Sequence, residues 1–334
     1  RILMMALEKD PTAQVAAERL AELYRAKGDS KALVALYDRR AKALAPLAGQ
    51  QPEIRSELAT LYEQLAQLWS EPPLSQPKKA IESYKKAIEY DPTSAFAIYS
   101  ARELYKQLQQ WQDALPLYEA ELNLEQDPQR RVGLLRDEAS TRKLAGDLQG
   151  ATRALASARE IDSSDPALQQ EYASSILDRI QAGEAVPAEE RNYAAELLVA
   201  LAETYEGEHG LAYAGAALDI DPGNDRAMQL LLHYSRSVGV PADMQQRCNA
   251  YLSSSPSGEM VQDVRSALAA AGGSTMSNDP PSAITSNRNI LEDTGAGPST
   301  AKRASMAPPK MSPSRAPDRG PERVERVERS LPKE

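Results

Sequence analysis

Aromatic side chains are scarce in this sequence. They fill 5% of its 334 positions, Phe96 is the only Phe, and none follows Tyr251. An all-β protein needs more aromatic and β-branched residues than that. The single cysteine, Cys248, excludes an internal disulfide framework and a Cys-based zinc cluster. No apolar run approaches the ~20 residues of a membrane span; Leu197–Ala202, just after Glu196, is among the longest. Basic charge is also in deficit, with 39 Lys and Arg against 48 Asp and Glu, a net charge of −9. That balance argues against nucleic acid as a partner, because phosphate contacts need clustered Lys and Arg. The first residue is Arg1 rather than Met, so a fragment is expected. The low cysteine content suits a reducing cytoplasm and leaves export open.

Constellations for catalysis are missing as well. His209 and His233 are the only histidines, each isolated, with no carboxylate at ligand spacing. Cys248 follows Arg247, which would lower a thiol pKa, but a lone thiol on an amphipathic helix reads as a packing residue. Gly295-Ala-Gly297 lacks the flanking strand and helix of a dinucleotide site, and Gly146-Asp-Leu-Gln-Gly150 lacks the Lys of a phosphate loop. The expectation is therefore no catalytic residue, no metal and no cofactor.

What is present is abundant Ala, Leu, Glu, Gln, Lys and Arg, the good helix formers. The chain changes character near residue 271. Residues 271–334 hold 9 Pro, 9 Ser, 5 Gly and 4 Thr, too little apolar surface to offset the entropy of ordering, so this stretch is expected to be a disordered tail. From Ala301 onward its charge is +4, whereas residues 1–270 carry −11. A basic tail tip tethered to an acidic body has a high local concentration there, so residues 301–334 are a candidate to occupy the body's binding surface. Ser305, Ser312 and Ser314 lie near Arg or Pro, where phosphorylation would weaken such docking. The alternative is a solvated linker.

The body repeats. Asp-Pro occurs at 10–11, 91–92, 127–128, 165–166 and 221–222, with a further copy at 279–280 in the tail. Each body copy separates two stretches of apolar residues at spacings of three and four, the period of an amphipathic helix. Proline ends the helix before it, and the pattern predicts Asp as N-cap with Pro as first helical residue. Each period then holds two helices. In the first, Ala17, Leu20, Ala21, Leu23 and Tyr24 precede a stop at Gly28-Asp29, followed by Leu33, Leu36, Tyr37 and Leu44. The second has Leu58, Leu61, Tyr62 and Leu65, a loop containing Pro72, Pro73 and Pro77, then Ala80, Ile81, Tyr84 and Ala87. The fourth places Leu134, Leu135, Ala139 and Leu144 before Gly146. Later pairs run Leu197–Tyr205 with Leu211–Ile220 and Met228–Tyr234 with Met244–Tyr251, then a single helix near Met260–Ala270; Arg179–Pro187 reads as an insertion or a degenerate unit.

Tyr24-Arg-Ala-Lys-Gly28-Asp29, Tyr105…Trp111-Gln-Asp-Ala114…Tyr118 and Ala80…Tyr84…Ala87…Asp91-Pro92 resemble the tetratricopeptide repeat, and the resemblance covers roughly residues 5–270. It implies an all-α fold, a right-handed α-solenoid of about six helix-turn-helix repeats plus a capping helix. Each pair buries its apolar side only by stacking on its neighbours. The resemblance also implies that the first helix of each pair lines a concave groove. The groove candidates are Glu18, Glu22 and Arg25; Glu53, Thr60 and Glu63; Phe96, Tyr99, Glu103 and Lys106; and Arg136, Ser140 and Lys143. Over the first three units acids outnumber bases, which suits basic or amphipathic peptides, with Phe96 and Tyr99 as apolar anchors; the alternative is ordinary solvated helix charge. The function expected is a non-catalytic protein-interaction scaffold. A regulatory segment of a larger enzyme or signalling protein, and a self-associating structural subunit, stay open.

Overall fold

A computed structural model describes residues 2–273 apart from Pro11 and Gln50, so the remainder of the tail, with its Asp279-Pro280 copy, lies outside the described residues. Fifteen α-helices and no strand occur among the described residues. They are α1 (Ile2–Lys9), α2 (Gln14–Ala26), α3 (Ser30–Leu44), α4 (Pro52–Ser70), α5 (Pro77–Tyr90), α6 (Ala95–Gln107), α7 (Trp111–Leu124) and α8 (Pro128–Leu144). After these come α9 (Leu148–Ile161), α10 (Pro166–Gln181), α11 (Ala188–Thr204), α12 (Gly207–Ile220), α13 (Asp225–Val238), α14 (Met244–Ser254) and α15 (Val261–Gly273). Consecutive helices pack on one another along the chain, as an α-solenoid of stacked helix pairs requires.

The helix starts follow local chemistry. Asp29, Asp127, Asp147 and Asp165 each accept a backbone N–H bond at the head of α3, α8, α9 and α10, the role predicted for an N-cap. The Asp-Pro pattern, however, divides into two kinds. At 127–128 and 165–166 the Asp caps and the Pro opens the helix. Asp91 and Asp221 instead end the preceding helix and accept a bond from the backbone two residues on, while Ser94 and Asn224 cap α6 and α13. Asp10 makes the same kind of turn with Thr12, and no side chain caps α2. An aspartate bonding locally to its own backbone serves both ends equally well, so the dipeptide alone does not set the phase. Counted on true N-caps, Ala13, Gln51, Ser94, Asp127 and Asp165 are spaced 33 to 43 residues apart.

Three local expectations change. Pro77 does not lie in the loop but opens α5, because α4 runs on to Ser70 and absorbs most of the extra length. Leu23 and Leu144, expected inside, are 49% and 61% exposed; each lies in the last turn of its helix, off the buried stripe. The stretch from Arg179 is helical as far as Gln181, the end of α10, and only a short connector remains before α11.

The interior is built on small residues. Ala66, Ala80, Ala87, Ala97, Ala101 and Ala114 are fully buried, where they let neighbouring helices approach closely around Leu58, Tyr84 and Ile98. On α12 the approach is closer still: a Cβ at Gly210 would lie 2.7 Å from the Tyr234 ring and 2.9 Å from the Ala202 carbonyl oxygen. The apolar side chains form two clusters, one from Leu20 to Leu104 and one from Val132 to Val264.

Two substitutions test this account of the turns. Gln109 holds φ +56° after α6, where Gly28 and Gly146 serve after α2 and α8. Gln109→Gly is expected to raise stability by about 0.5–1 kcal/mol, since relief of a left-handed side chain outweighs the added backbone entropy. Gly150→Ala should do the reverse of an ordinary helical replacement. Its Cβ would fall 2.0 Å from Asp147 Oδ2, so displacing that cap is expected to cost about 1 kcal/mol. Thermal unfolding of each variant against the parent checks both signs.

Candidate interaction surface

Polar side chains that a helix cannot bury in its apolar stripe are left along its edges, and here they join helices two apart. On one side Glu63 of α4 accepts from Ser94 at the head of α6, and Asp137 of α8 accepts from Arg102 and Lys106 of α6. Arg136 and Lys143 of α8 pair with Glu171 and Asp178 of α10. Tyr213 of α12 bonds Gln170 of α10, and Arg247 of α14 pairs with Asp219 of α12. On the other side Arg39 of α3 pairs with Glu8 of α1, Arg159 of α9 bonds Tyr193 of α11, and Arg226 of α13 pairs with Glu203 of α11. Even-numbered helices thus form one layer and odd-numbered helices the other.

The structure adds α10 between the expected fourth pair and the later ones, and α11 packs more extensively on α12 than on α10, as the expected pair Leu197–Tyr205 with Leu211–Ile220 requires. Helices α11 and α13, expected as first helices, lie in the layer of α9 rather than that of α8. The expected first helices therefore share one layer only along α2, α4, α6 and α8, and α10, α12 and α14 continue that layer.

The predicted groove residues divide into two sets. Glu63, Glu103, Lys106, Arg136 and Lys143 are committed to neighbours within the chain. Phe96 is partly buried, edge-on to the Tyr84 ring. Glu22 pairs with Arg19, and Arg25 donates to the Tyr37 hydroxyl. Ser140 and Thr60 return their hydroxyls to the carbonyls of Arg136 and Ser56. Glu18, Glu53 and Tyr99 are exposed.

The centre of the ladder was not foreseen from the sequence. Arg102, 3% exposed, sends Nε to Glu121 at 2.8 Å and Nη1 to Glu103 at 2.8 Å and Asp137 at 2.6 Å, and its guanidinium lies over the Tyr118 ring. Lys106 Nζ reaches both Asp137 oxygens at 2.7 Å, and the Tyr118 hydroxyl bonds Asp137 at 2.6 Å and Thr141 at 2.7 Å. Burial alone would raise the Asp137 carboxyl, but the bonds from Lys106 and Tyr118 outweigh it and hold the group below the ordinary carboxylate range. Burial and the same aspartate push the Tyr118 phenol up to about 12. Glu63 moves the other way, raised by burial against the opposing Ser94 bond. The one signal that would have exposed this cluster is the spacing of Arg102 and Lys106, one turn apart and about one repeat before Asp137.

Two clefts lie in the odd layer. One of about 610 Å³, between α11, α13 and α15, is lined by Glu203, Arg226, His233, Arg236 and Asp263. The other, about 470 Å³ and mostly apolar, lies between α1 and α3 and includes Met4, Leu7, Leu36 and Arg40. Cys248 is fully buried and its thiol is raised by burial; the neighbouring Arg247 guanidinium is committed to Asp219, Asp243 and the Gly215 carbonyl. Among the described residues no group of three or more His, Cys, Asp and Glu is placed to hold a metal ion, and no helix is long and apolar enough to cross a membrane. Paired charges on a fixed helical face recognise other charges by complementarity.

No curated protein matches the chain. Among solved structures, it is similar to YrrB, described as a TPR protein with an unusual peptide-binding site, at 16% identity, covering 68% of this chain and 99% of that one with a TM-score of 0.32. MamA matches at 15% identity over 61% of this chain and 94% of its own, TM-score 0.32. The TPR2AB domain of yeast Sti1, in its complex with an HSP90 peptide, matches at 14% over 81% and 89%, TM-score 0.29. A family model described as tetratricopeptide repeat matches residues 16–52 and 97–132, which span α2–α3 and α6–α7. With consecutive helices stacked on one another and the repeat's own pattern in two of the pairs, the chain carries tetratricopeptide repeats.

Proposed function

We propose that this chain is a non-catalytic scaffold that binds a basic or amphipathic segment of another polypeptide on the face of α2, α4 and α6. The observation that carries the reading is the face of α2. Val15, 79% exposed, is followed at helical spacing by Glu18 and Glu22, with half-exposed Leu23 beside them. In the same layer α4 adds Glu53 and Thr60, and α6 adds Tyr99. Of the bases at this end, Arg25 is committed to Tyr37 and Lys106 to Asp137 and Glu103, while Arg19 forms an exposed pair with Glu22. The acids therefore face outward beside apolar side chains, complementary to cations on an amphipathic partner. Farther along, Arg136 and Lys143 are neutralised by Glu171 and Asp178, so that end offers no comparable field.

The test uses the full chain and a fluorescein-labelled amphipathic Leu/Lys peptide, read by anisotropy at low salt. Glu18→Lys, Glu22→Lys and Glu53→Lys together are expected to weaken binding by about tenfold or more, from roughly 0.5 kcal/mol for each exposed charge. The control reverses three exposed acids of the odd layer, Glu82, Glu119 and Glu160, at the same change in net charge. Equal losses in the two triples would reduce the effect to net charge and overturn the assignment of the face.

A further inference from the structure

The two apolar clusters stop short of each other. The first ends at Leu104 with Leu108 and Leu117 packed on it; the second begins at Leu122 and Val132. Ile98 of α6 and Ala114 and Tyr118 of α7 are buried between them and belong to neither. The space is filled by Arg102, Glu121, Glu103, Asp137, Lys106, Tyr118 and Thr141. Among the described residues, Arg102 and Lys106 join α6 to α8 through Asp137, and α7 crosses the same place with Pro116 in its interior, which removes one helical hydrogen bond.

We propose that the array is divided at the α6–α7–α8 junction into two separately cooperative units, α1–α6 and α8–α15, coupled by this ionic cluster in place of apolar packing. In a stacked array stability is close to a sum of unit terms and nearest-neighbour interfaces, so cooperativity breaks where an interface is weakest. A part-buried ion cluster centred on Arg102 contributes less to such an interface than apolar packing does. Its Coulombic gain is largely offset by the cost of taking the charges from water, whereas apolar surfaces of the same extent are favourable outright. The cluster also imposes geometry, since Arg102 must meet carboxylates from α6, α7 and α8 at once. The junction is thus well defined when closed and contributes little net coupling. The smaller amino-terminal core makes α1–α6 the unit that opens first.

The experiment is urea unfolding of the full chain, followed by tryptophan fluorescence and far-UV circular dichroism, with hydrogen exchange measured in sub-denaturing urea. Both tryptophans, Trp69 and Trp111, precede the second unit, so fluorescence reports the first unit and its edge. Fluorescence is expected to change about 1 M urea before the bulk of the helical signal is lost. Exchange should resolve two sets of amides, α2–α5 and α9–α13, that open at different urea concentrations. Replacing the cluster with apolar groups (Arg102→Met, Glu121→Leu and Asp137→Leu together) should narrow the gap between the two transitions. Coincident transitions and a single set of exchanging amides in the parent protein would overturn the proposal. So would two sets whose boundary falls outside residues 98–141. The parent protein alone decides the matter if the triple variant does not fold.

Discussion

A single amphipathic helix cannot hide its apolar stripe, and in this chain each helix does so only between its neighbours. Every other feature follows from that need for close lateral contact. Fully buried alanines recur where helices meet, because a larger residue would hold them apart and leave a void. Gly210 is the extreme case, with a ring and a carbonyl oxygen already occupying the space of a side chain. The tyrosines extend the same logic. Tyr118 and Tyr251 are buried to the hydroxyl, and each finds a carboxylate there, Asp137 and Asp225, so that bulk is packed without orphaning a polar group.

Stacking also decides where charge goes. Side chains flanking the buried stripe of one helix come to face those of the helix two further on, and opposite charges meet there. The residue types that suggest ligand contacts in a linear sequence are then largely consumed inside the protein. Arg136 looks like a free cation on its own helix and becomes one arm of a pair with Glu171 once α10 lies beside α8. The acids of α2 stay at the surface, Glu18 accepting from Gln14 and Glu22 pairing with Arg19 of their own helix rather than with a base two helices on. The proposed recognition face lies at that end for the same electrostatic reason that the middle of the array is internally satisfied.

The Arg102 cluster shows what an interior charge network contributes. It specifies how α6, α7 and α8 sit together through directional bonds, and it does so at the one place where apolar contact lapses. A tyrosine hydroxyl and two cations converge on Asp137, and Thr141 meets the same hydroxyl, so the removal of Asp137 takes a partner from Arg102, Lys106 and Tyr118 at once. Specific geometry with modest net stabilisation is the expected character of such a junction.

The periodicity of Ala, Leu and Tyr was enough, in the sequence alone, to establish helices, their stacking in pairs and most of the core, including Leu58, Tyr84 and Ala139. These are local properties: a stripe at helical spacing and a glycine at a left-handed turn carry their meaning within one helix. Phase was not local. Aspartates that end one helix and aspartates that begin the next look alike in sequence, and α10 moves the helices after it into the layer opposite to the expected one without any break in composition. Which groove candidates stay open to a partner was likewise decided only by the fold, since Lys106, Arg136 and Lys143 meet Asp137, Glu171 and Asp178 about one repeat on, at positions no helical period connects.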